Sequence, residues 1–213
     1  MLSINNLIFH YENGFSIKVG NLFVNRGEMV FLSGESGSGK STLLNIIAGI
    51  LDYKSGSVTV MGQELKYLTS FQRDKFRGEN IGFIFQQFNL IPYLSVVDNV
   101  LLPCKLFNKK SDLLETLIER TALPKECLDK RVDELSIGQQ QRVACIRALI
   151  GRPSLVIADE PTSALDDDKQ NAFLKLLIEC CKDINSTLIF VSHNKNLSRL
   201  FDRIVEIKNG ILS

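Results

Sequence analysis

The octapeptide Gly34-Glu35-Ser36-Gly37-Ser38-Gly39-Lys40-Ser41 constrains what this chain can fold into more than any other stretch. It has the G-x-x-x-x-G-K-S spacing of a phosphate-binding loop. Before it, Met29-Val30-Phe31-Leu32-Ser33 reads as a buried strand; after it, Ser41-Thr42-Leu43-Leu44-Asn45-Ile46-Ile47-Ala48 reads as a helix. Strand, glycine loop and helix N-terminus in that order is the context that gives the motif meaning. Gly34, Gly37 and Gly39 lack Cβ and are expected to take positive φ, so that the backbone can approach a ligand closely. Its N–H groups then form an anion nest at the positive end of the helix dipole. Lys40 is expected to reach the β- and γ-phosphates, and the Ser41 hydroxyl to be a ligand of Mg²⁺. A glycine-rich turn before a helix is the plain alternative, but such a turn needs neither the lysine nor the serine. The loop points to a nucleoside triphosphate and leaves open what the energy is used for.

The rest of the sequence sets bounds. With 213 residues there is enough chain for one well-cored domain with a small inserted lobe. Hydrophobic residues at 45% and charged residues at 23% are ordinary globular values. A formal net charge of +1 carries no polyanion-binding signature, so no direct nucleic-acid partner is expected. No apolar run reaches the roughly 18 residues of a membrane span. Met1-Leu2-Ser3-Ile4-Asn5-Asn6 lacks the basic start and apolar core of a signal peptide. Cysteines 104, 127, 145, 180 and 181 form no C-x-x-C pair, which fits buried thiols in a reducing compartment and no cysteine metal site.

Along the chain, Ser3 to Val24 has short alternating apolar runs broken at Glu12-Asn13-Gly14 and Gly20-Asn21, which predicts antiparallel strands and hairpins. Ser55-Gly56-Ser57 reads as a turn into Val58-Thr59-Val60, and Gly78-Glu79-Asn80 as punctuation before the strand Ile81–Phe85. From Gln86 to about Glu134 strand signals vanish. Helices are expected at Val96–Leu106 and Ser111–Ala122, with Pro92, Pro103 and Pro124 between pieces and Ser111-Asp112 as an N-cap region. Then come a helix over Gly138–Ile150, an apolar strand Leu155–Ala158, a helix over Asp166–Lys182, a strand Thr187–Ser192 and a last strand Arg203–Lys208 before Gly210. Alternating strands and helices argue for an α/β fold with a mostly parallel sheet.

Two further stretches carry chemistry. Asp159 and Glu160 directly follow the apolar strand Leu155–Ala158. Ending a buried strand in two carboxylates costs desolvation, which a cation and a catalytic task would justify. Asp159 suits a second ligand position for Mg²⁺, and Glu160 suits the polarising of an attacking water. A helix N-cap with an acidic first turn is the alternative for this pair, and Pro161-Thr162 is compatible with it. Leu135-Ser136-Ile137-Gly138-Gln139-Gln140-Gln141-Arg142 reads as a capped helix start, with Ser136 at the N-cap and Gln139 closing a capping box. The same amides and hydroxyl also make a second phosphate cradle. That cradle lies 96 residues from Lys40, so it need not close on the nucleotide of its own chain.

Taken in order, these motifs resemble those of the ABC-type ATPases over essentially the whole chain. Gly34–Ser41 is similar to the Walker A loop, Gln86 after Phe83-Ile84-Phe85 to the Q-loop, and Leu135–Gln139 to the LSGGQ signature. Leu155–Glu160 resembles Walker B, Ser163-Ala164-Leu165-Asp166 the D-loop, and His193 after Phe190-Val191-Ser192 the switch histidine. Within the family the closest likeness is to the lipoprotein-releasing, macrolide-export and cell-division group. It rests on Arg77, Asn80–Phe85, Gln86, Leu90-Ile91-Pro92, Asp98-Asn99-Val100 and Pro103.

The resemblance implies a P-loop ATPase core spanning 1–213 as one domain. It would have an N-terminal antiparallel β subdomain and an inserted α-helical subdomain at about 87–150. It also implies ATP and Mg²⁺ as cofactors. Glu160, His193 and Gln86 would be catalytic, and Ser41, Gln86 and Asp159 would hold Mg²⁺. ATP would be bound by Tyr11 against adenine together with Gly34, Glu35, Ser36, Gly37, Ser38, Gly39, Lys40, Ser41 and Thr42. Ser136, Gly138 and Gln139, with Asp166 in the D-loop, would face the ATP of a second copy. The implied assembly is an ATP-dependent homodimer at the cytoplasmic face of the inner membrane, docked on a separate transmembrane permease subunit. Action on nucleic acid or ribosomes, and signalling across the membrane without transport, are the alternatives within the wider family. One departure stands out: Ile137 occupies a signature position where the family mostly has glycine, and a β-branched residue resists φ > 0. With the ending Ile211-Leu212-Ser213, no added regulatory domain is expected.

Overall fold

The computed structural model describes residues 1–12, 14–163 and 165–212. Its strands are β1 (Leu2–His10), β2 (Ser16–Val24), β3 (Met29–Ser33), β4 (Ser55–Val60), β5 (Gln63–Glu64), β6 (Ile81–Ile84), β7 (Leu155–Asp159), β8 (Thr187–Val191), β9 (Arg203–Lys208) and β10 (Ile211–Leu212). Its α-helices are α1 (Lys40–Ile47), α2 (Ser70–Asn80), α3 (Val96–Phe107), α4 (Leu114–Arg120), α5 (Ile137–Leu149) and α6 (Asp167–Asp183). The strands form one mixed sheet in the order β5-β4-β1-β2-β10-β9-β3-β8-β7-β6. The β5-β4-β1-β2 end is antiparallel, whereas β9, β3, β8, β7 and β6 are all parallel.

The parallel strands are covered on both faces, and their residues show it. In β7, Leu155 and Ile157 enter the core shared with α1 and the antiparallel strands, while Val156 and Ala158 enter the core shared with α3, α5 and α6. A side-chain period of two with both faces buried produces the continuous apolar run read in the sequence. Because β3, β6, β7 and β8 run the same way, the loops leaving their C-terminal ends meet along one edge. In open parallel sheets that edge is where ligands bind. It carries Gly34–Gly39 after β3, Gln86 after β6, Glu160 after β7 and His193 after β8.

Several local expectations are corrected. Gly20-Asn21 lies inside β2 rather than in a turn, because β1 pairs with β2 continuously from Leu2↔Val24 to Asn5↔Asn21 and on to His10↔Ser16. Gly78-Glu79-Asn80 is the last turn of α2, a helix the sequence reading omitted; Phe107 packs where a side chain at Gly78 would lie. Pro103 sits within α3 and does not end it, since Val96, Val100 and Cys104 anchor that helix in the core on both sides of the proline. Ser111-Asp112 does not cap α4: its N-cap is Leu113, and the Asp112 carboxylate instead takes Arg152 at 2.9 Å. All five cysteines are buried with free thiols, as expected. No helix of the described residues is long and apolar enough to cross a membrane.

Candidate active site

The phosphate loop leaves β3, whose five residues are all buried, and enters α1 through Gly39. Gly39 holds φ at 104°, a left-handed value, with the Ile17 side chain 2.8 Å from where a Cβ would stand. Gly34 is required for a different reason: a Cβ there would lie 2.4 Å from the Ile207 carbonyl. All three glycines, Gly34, Gly37 and Gly39, take the positive φ expected, at 159°, 75° and 104°. Lys40 is buried, and its Nζ donates to the Gly34 and Glu35 carbonyls, both at 2.9 Å. The ammonium therefore crosses the mouth of the nest formed by its own loop.

The loop opens into a cleft of about 380 Å³ lined by Tyr11, Phe15, Ser36, Gly37, Gly39, Lys40, Ser41, Thr42, Gln86 and Glu160. Expected site residues from four separate segments thus share one cavity. Tyr11 lies at its rim. The Tyr11 hydroxyl is 3.2 Å from Thr42 Oγ1 and its ring meets Phe9 edge-on with centroids 4.7 Å apart, which fixes the ring's orientation. Gln86 is exposed in the same cleft, two residues beyond the end of β6.

Asp159 ends β7, in register with Val191. Burial pushes its carboxyl above the usual aspartate range, and the neighbouring Glu160 acts in the same direction. A hydrogen bond from Ser41 and the charge of Lys40 partly offset this. A half-desolvated carboxylate beside a serine hydroxyl, with an amide oxygen from Gln86 in the same cleft, is an oxygen donor set suited to a hard divalent cation such as Mg²⁺.

Glu160 is held in a conformation that most residues avoid, with φ at 45°, while its N–H donates to the Val191 carbonyl at 3.1 Å. Such a residue typically costs about 1–3 kcal/mol and persists where the surroundings over-determine it. Its carboxylate stands between two basic groups: Lys40 Nζ is 3.5 Å from Oε1, and His193 Nδ1 is 3.4 Å from Oε2. The phosphate loop, the end of β7 and the turn after β8 are thereby joined at one carboxylate.

The signature residues behave differently. Ser136 is the N-cap of α5, and both bonds of the capping box with Gln139 are present. Ile137 is the first helical residue and has no positive φ, so the β-branched side chain is accommodated without backbone strain. It is 59% exposed. None of Ser136, Ile137, Gly138 or Gln139 lines the 380 Å³ cleft. Gly138 borders another groove, of about 330 Å³, with Arg142, Leu165 and Lys169. Asp166 caps α6, accepting the Lys169 N–H at 3.0 Å. The D-loop residue Ala164 lies outside the described residues.

The sequence reading missed two connecting side chains. Gln141, buried on α5, donates from Nε2 to the Pro161 carbonyl at 2.8 Å, tying the signature helix to the turn after Glu160. Asn194 donates to Gln170 and Asp167 of α6, bracing the turn that holds His193. A glutamine on the inward face of a capped helix was the available signal for the first; nothing local marked the second.

Comparison with known proteins places this geometry. Residues 17–163 match the family model described as ABC transporter. Over 206 residues the chain is 43% identical to the uncharacterized ABC transporter ATP-binding protein YbbA of Escherichia coli strain K12, covering 94% of this chain and 90% of that protein. It is 41% identical to the lipoprotein-releasing system ATP-binding protein LolD of Shewanella denitrificans, over 91% of this chain and 84% of that one. Among solved structures, the ATP-binding cassette MJ0796, determined as a dimer in a post-hydrolysis state bound to ADP and Pi, superposes with a TM-score of 0.90. That match has 33% identity and covers 100% of this chain and 97% of that one. The chain belongs to the ABC transporter ATP-binding family.

Proposed function

We propose that this chain is the ATP-hydrolysing subunit of an ABC transporter, working as a head-to-tail homodimer that drives a separate membrane subunit. One observation carries the reading. Lys40, Ser41, Gln86 and Glu160 line one cleft and Asp159 and His193 adjoin them, whereas Ser136–Gln139 of the same chain line no part of it. A second copy would supply the missing wall, and two ATP would then lie between facing loops and signatures. Support comes also from the dimeric cassette and from the macrolide export protein MacB of Shewanella sp. strain W3-18-1. MacB's name joins ATP-binding and permease functions, and this chain covers 31% of its length at 41% identity.

In this reading the whole chain, 1–213, is one ATPase domain, with helices inserted at about 87–150. Gly34, Glu35, Ser36, Gly37, Ser38 and Gly39 cradle the phosphates, Lys40 turns from its own loop carbonyls to the γ-phosphate, and Tyr11 with Thr42 holds the base side. Ser41, Asp159 and Gln86 hold Mg²⁺, which when bound neutralises charge on the β- and γ-phosphates. As Lys40 is drawn to phosphate, Glu160 loses one of its two basic neighbours and is freed to orient and deprotonate water, with His193 at its other oxygen. The segment Gln86–Val100 meets the membrane subunit, placing the chain peripherally at the cytoplasmic face of the inner membrane. The identities to LolD and MacB favour export or lipoprotein release over envelope signalling.

The test is co-purification of tagged Glu160→Gln chain with Mg-ATP from its native membranes. A stoichiometric membrane protein supports the proposal. Nucleic acid or ribosomal material without a membrane protein would overturn the transporter reading.

A further inference from the structure

The signature glutamine is held from behind by a thiol. Gln139 uses its Oε1 to accept the Ser136 N–H at 2.9 Å. A backbone N–H can only donate, so this bond fixes which end of the amide is oxygen and turns Nε2 the other way. There Nε2 lies 3.5 Å from Cys127 Sγ, a contact in which the amide donates and the sulfur accepts. The Ser136 hydroxyl oxygen accepts the Gln139 N–H at 3.4 Å, which leaves its own proton free to point outward.

Cys127 is itself well fixed. It is 3% exposed and ends a single 3₁₀ turn, Lys125–Cys127, with its N–H bonded to the Pro124 carbonyl at 3.0 Å. The following carbonyls, Leu128 and Lys130, accept the first amides of α3, Val97 and Val96, at 3.0 and 2.9 Å. The sulfur is therefore carried by a turn bonded to the start of α3, and it meets α5 at the signature.

We infer that Cys127 is a positioning residue for the signature: its sulfur holds the Gln139 amide, and through it the capping box that presents Ser136 to a second copy. The Gln139 side chain then works inside its own chain, with both polar ends engaged there, and keeps the first turn of α5 in the shape the facing nucleotide needs. This rests on the homodimer proposed above.

The experiment measures ATP-driven self-association of the full chain carrying Glu160→Gln, by sedimentation with Mg-ATP, alongside ATP affinity of the dilute single chain. Cys127→Ala is expected to weaken association about threefold to tenfold, the range for one modest hydrogen bond. Cys127→Ser, which keeps an acceptor, is expected to recover most of that. In a Gln139→Ala background Cys127→Ala should cost nothing further, the signature of a coupled pair. Single-chain ATP affinity should stay within about twofold, because Cys127 does not line the cleft; a general loss of folding would lower both. Association equal to the parent, or an equal loss with and without Gln139, would overturn the inference. A parent that never associates would contradict the dimer instead. The tether would then be judged from the Gln139 side-chain amide resonances of the single chain: displacement in Cys127→Ala supports it and an unchanged position refutes it.

Discussion

The cleft around Gly34–Ser41 and the signature turn at Ser136–Gln139 are both helix N-termini, yet they are finished differently. At α1 the cap is a glycine with no side-chain bond; Gln86 after β6 and Glu160 after β7 line the cleft beside it, with His193 after β8 at the Glu160 carboxylate. At α5 the cap is complete: serine and glutamine satisfy each other, and the exposed neighbour is an apolar Ile137. A helix start with no side-chain cap, beside a lysine and a carboxylate, suits a multiply charged ligand held by its own chain. A satisfied one, rigid and exposed, is built to be pressed against something. The contrast argues that one chain holds half of each site.

Predictions follow from pulling the two regions apart. The largest effect belongs to Glu160→Gln. It should lower ATP turnover by about 100-fold or more, the scale of general-base contributions, while ATP binding persists. Turnover like the parent's would remove Glu160 from the chemistry. Next is Lys40→Ala, which on the proposed reading removes charge-assisted bonds to phosphate and should weaken single-chain ATP affinity about tenfold to 100-fold in calorimetry. Unchanged affinity would contradict the cleft assignment.

A third effect is in pH. Burial holds the Asp159 carboxyl above the usual aspartate range, so in the folded chain it protonates at a higher pH than in the unfolded one. Its sign is that of a group whose contribution to stability is fully present below the unfolded pKa and is lost as pH rises through the folded value. Cation binding needs the ionised form. Mg²⁺ affinity, titrated as a function of pH, should therefore begin to fall, on acidification, at a pH above the range of an ordinary aspartate. In Asp159→Asn that pH dependence should vanish along with most of the affinity. The smallest effect is at Ile137. Ile137→Gly should leave ATP affinity unchanged and cost up to about 1 kcal/mol of stability through helix propensity, read by denaturant unfolding. Any larger change must come through turnover in the dimer.

Much of the cleft was legible because its residues are close in sequence to the strands that place them. Asp159 and Glu160 end an apolar run, Lys40 and Ser41 end a glycine loop, and the parallel sheet brings the strand ends to one edge. What escaped depended on distant partners. Only Phe76 of α2 is buried, so the helix has no apolar stripe to read; the Thr69–Gln72 capping box was the one local sign of it. Asp112 looked like a cap but answers to Arg152, 40 residues away. Gly20 and Asn21 looked like a turn because pairing to β1 cannot be seen from composition. Ile137 departs from the family's usual glycine, but a capped helix start asks for no positive φ at that position, so the signature backbone is kept.

The central claim is that the two halves meet only between copies. Sedimentation of the Glu160→Gln chain with Mg-ATP, with and without Ser136→Arg, tests it most directly. The account predicts a dimer holding two ATP that dissociates to single chains when Ser136→Arg is added, with single-chain ATP affinity unchanged. A chain that stays monomeric with saturating ATP, or a dimer indifferent to arginine at position 136, would contradict it.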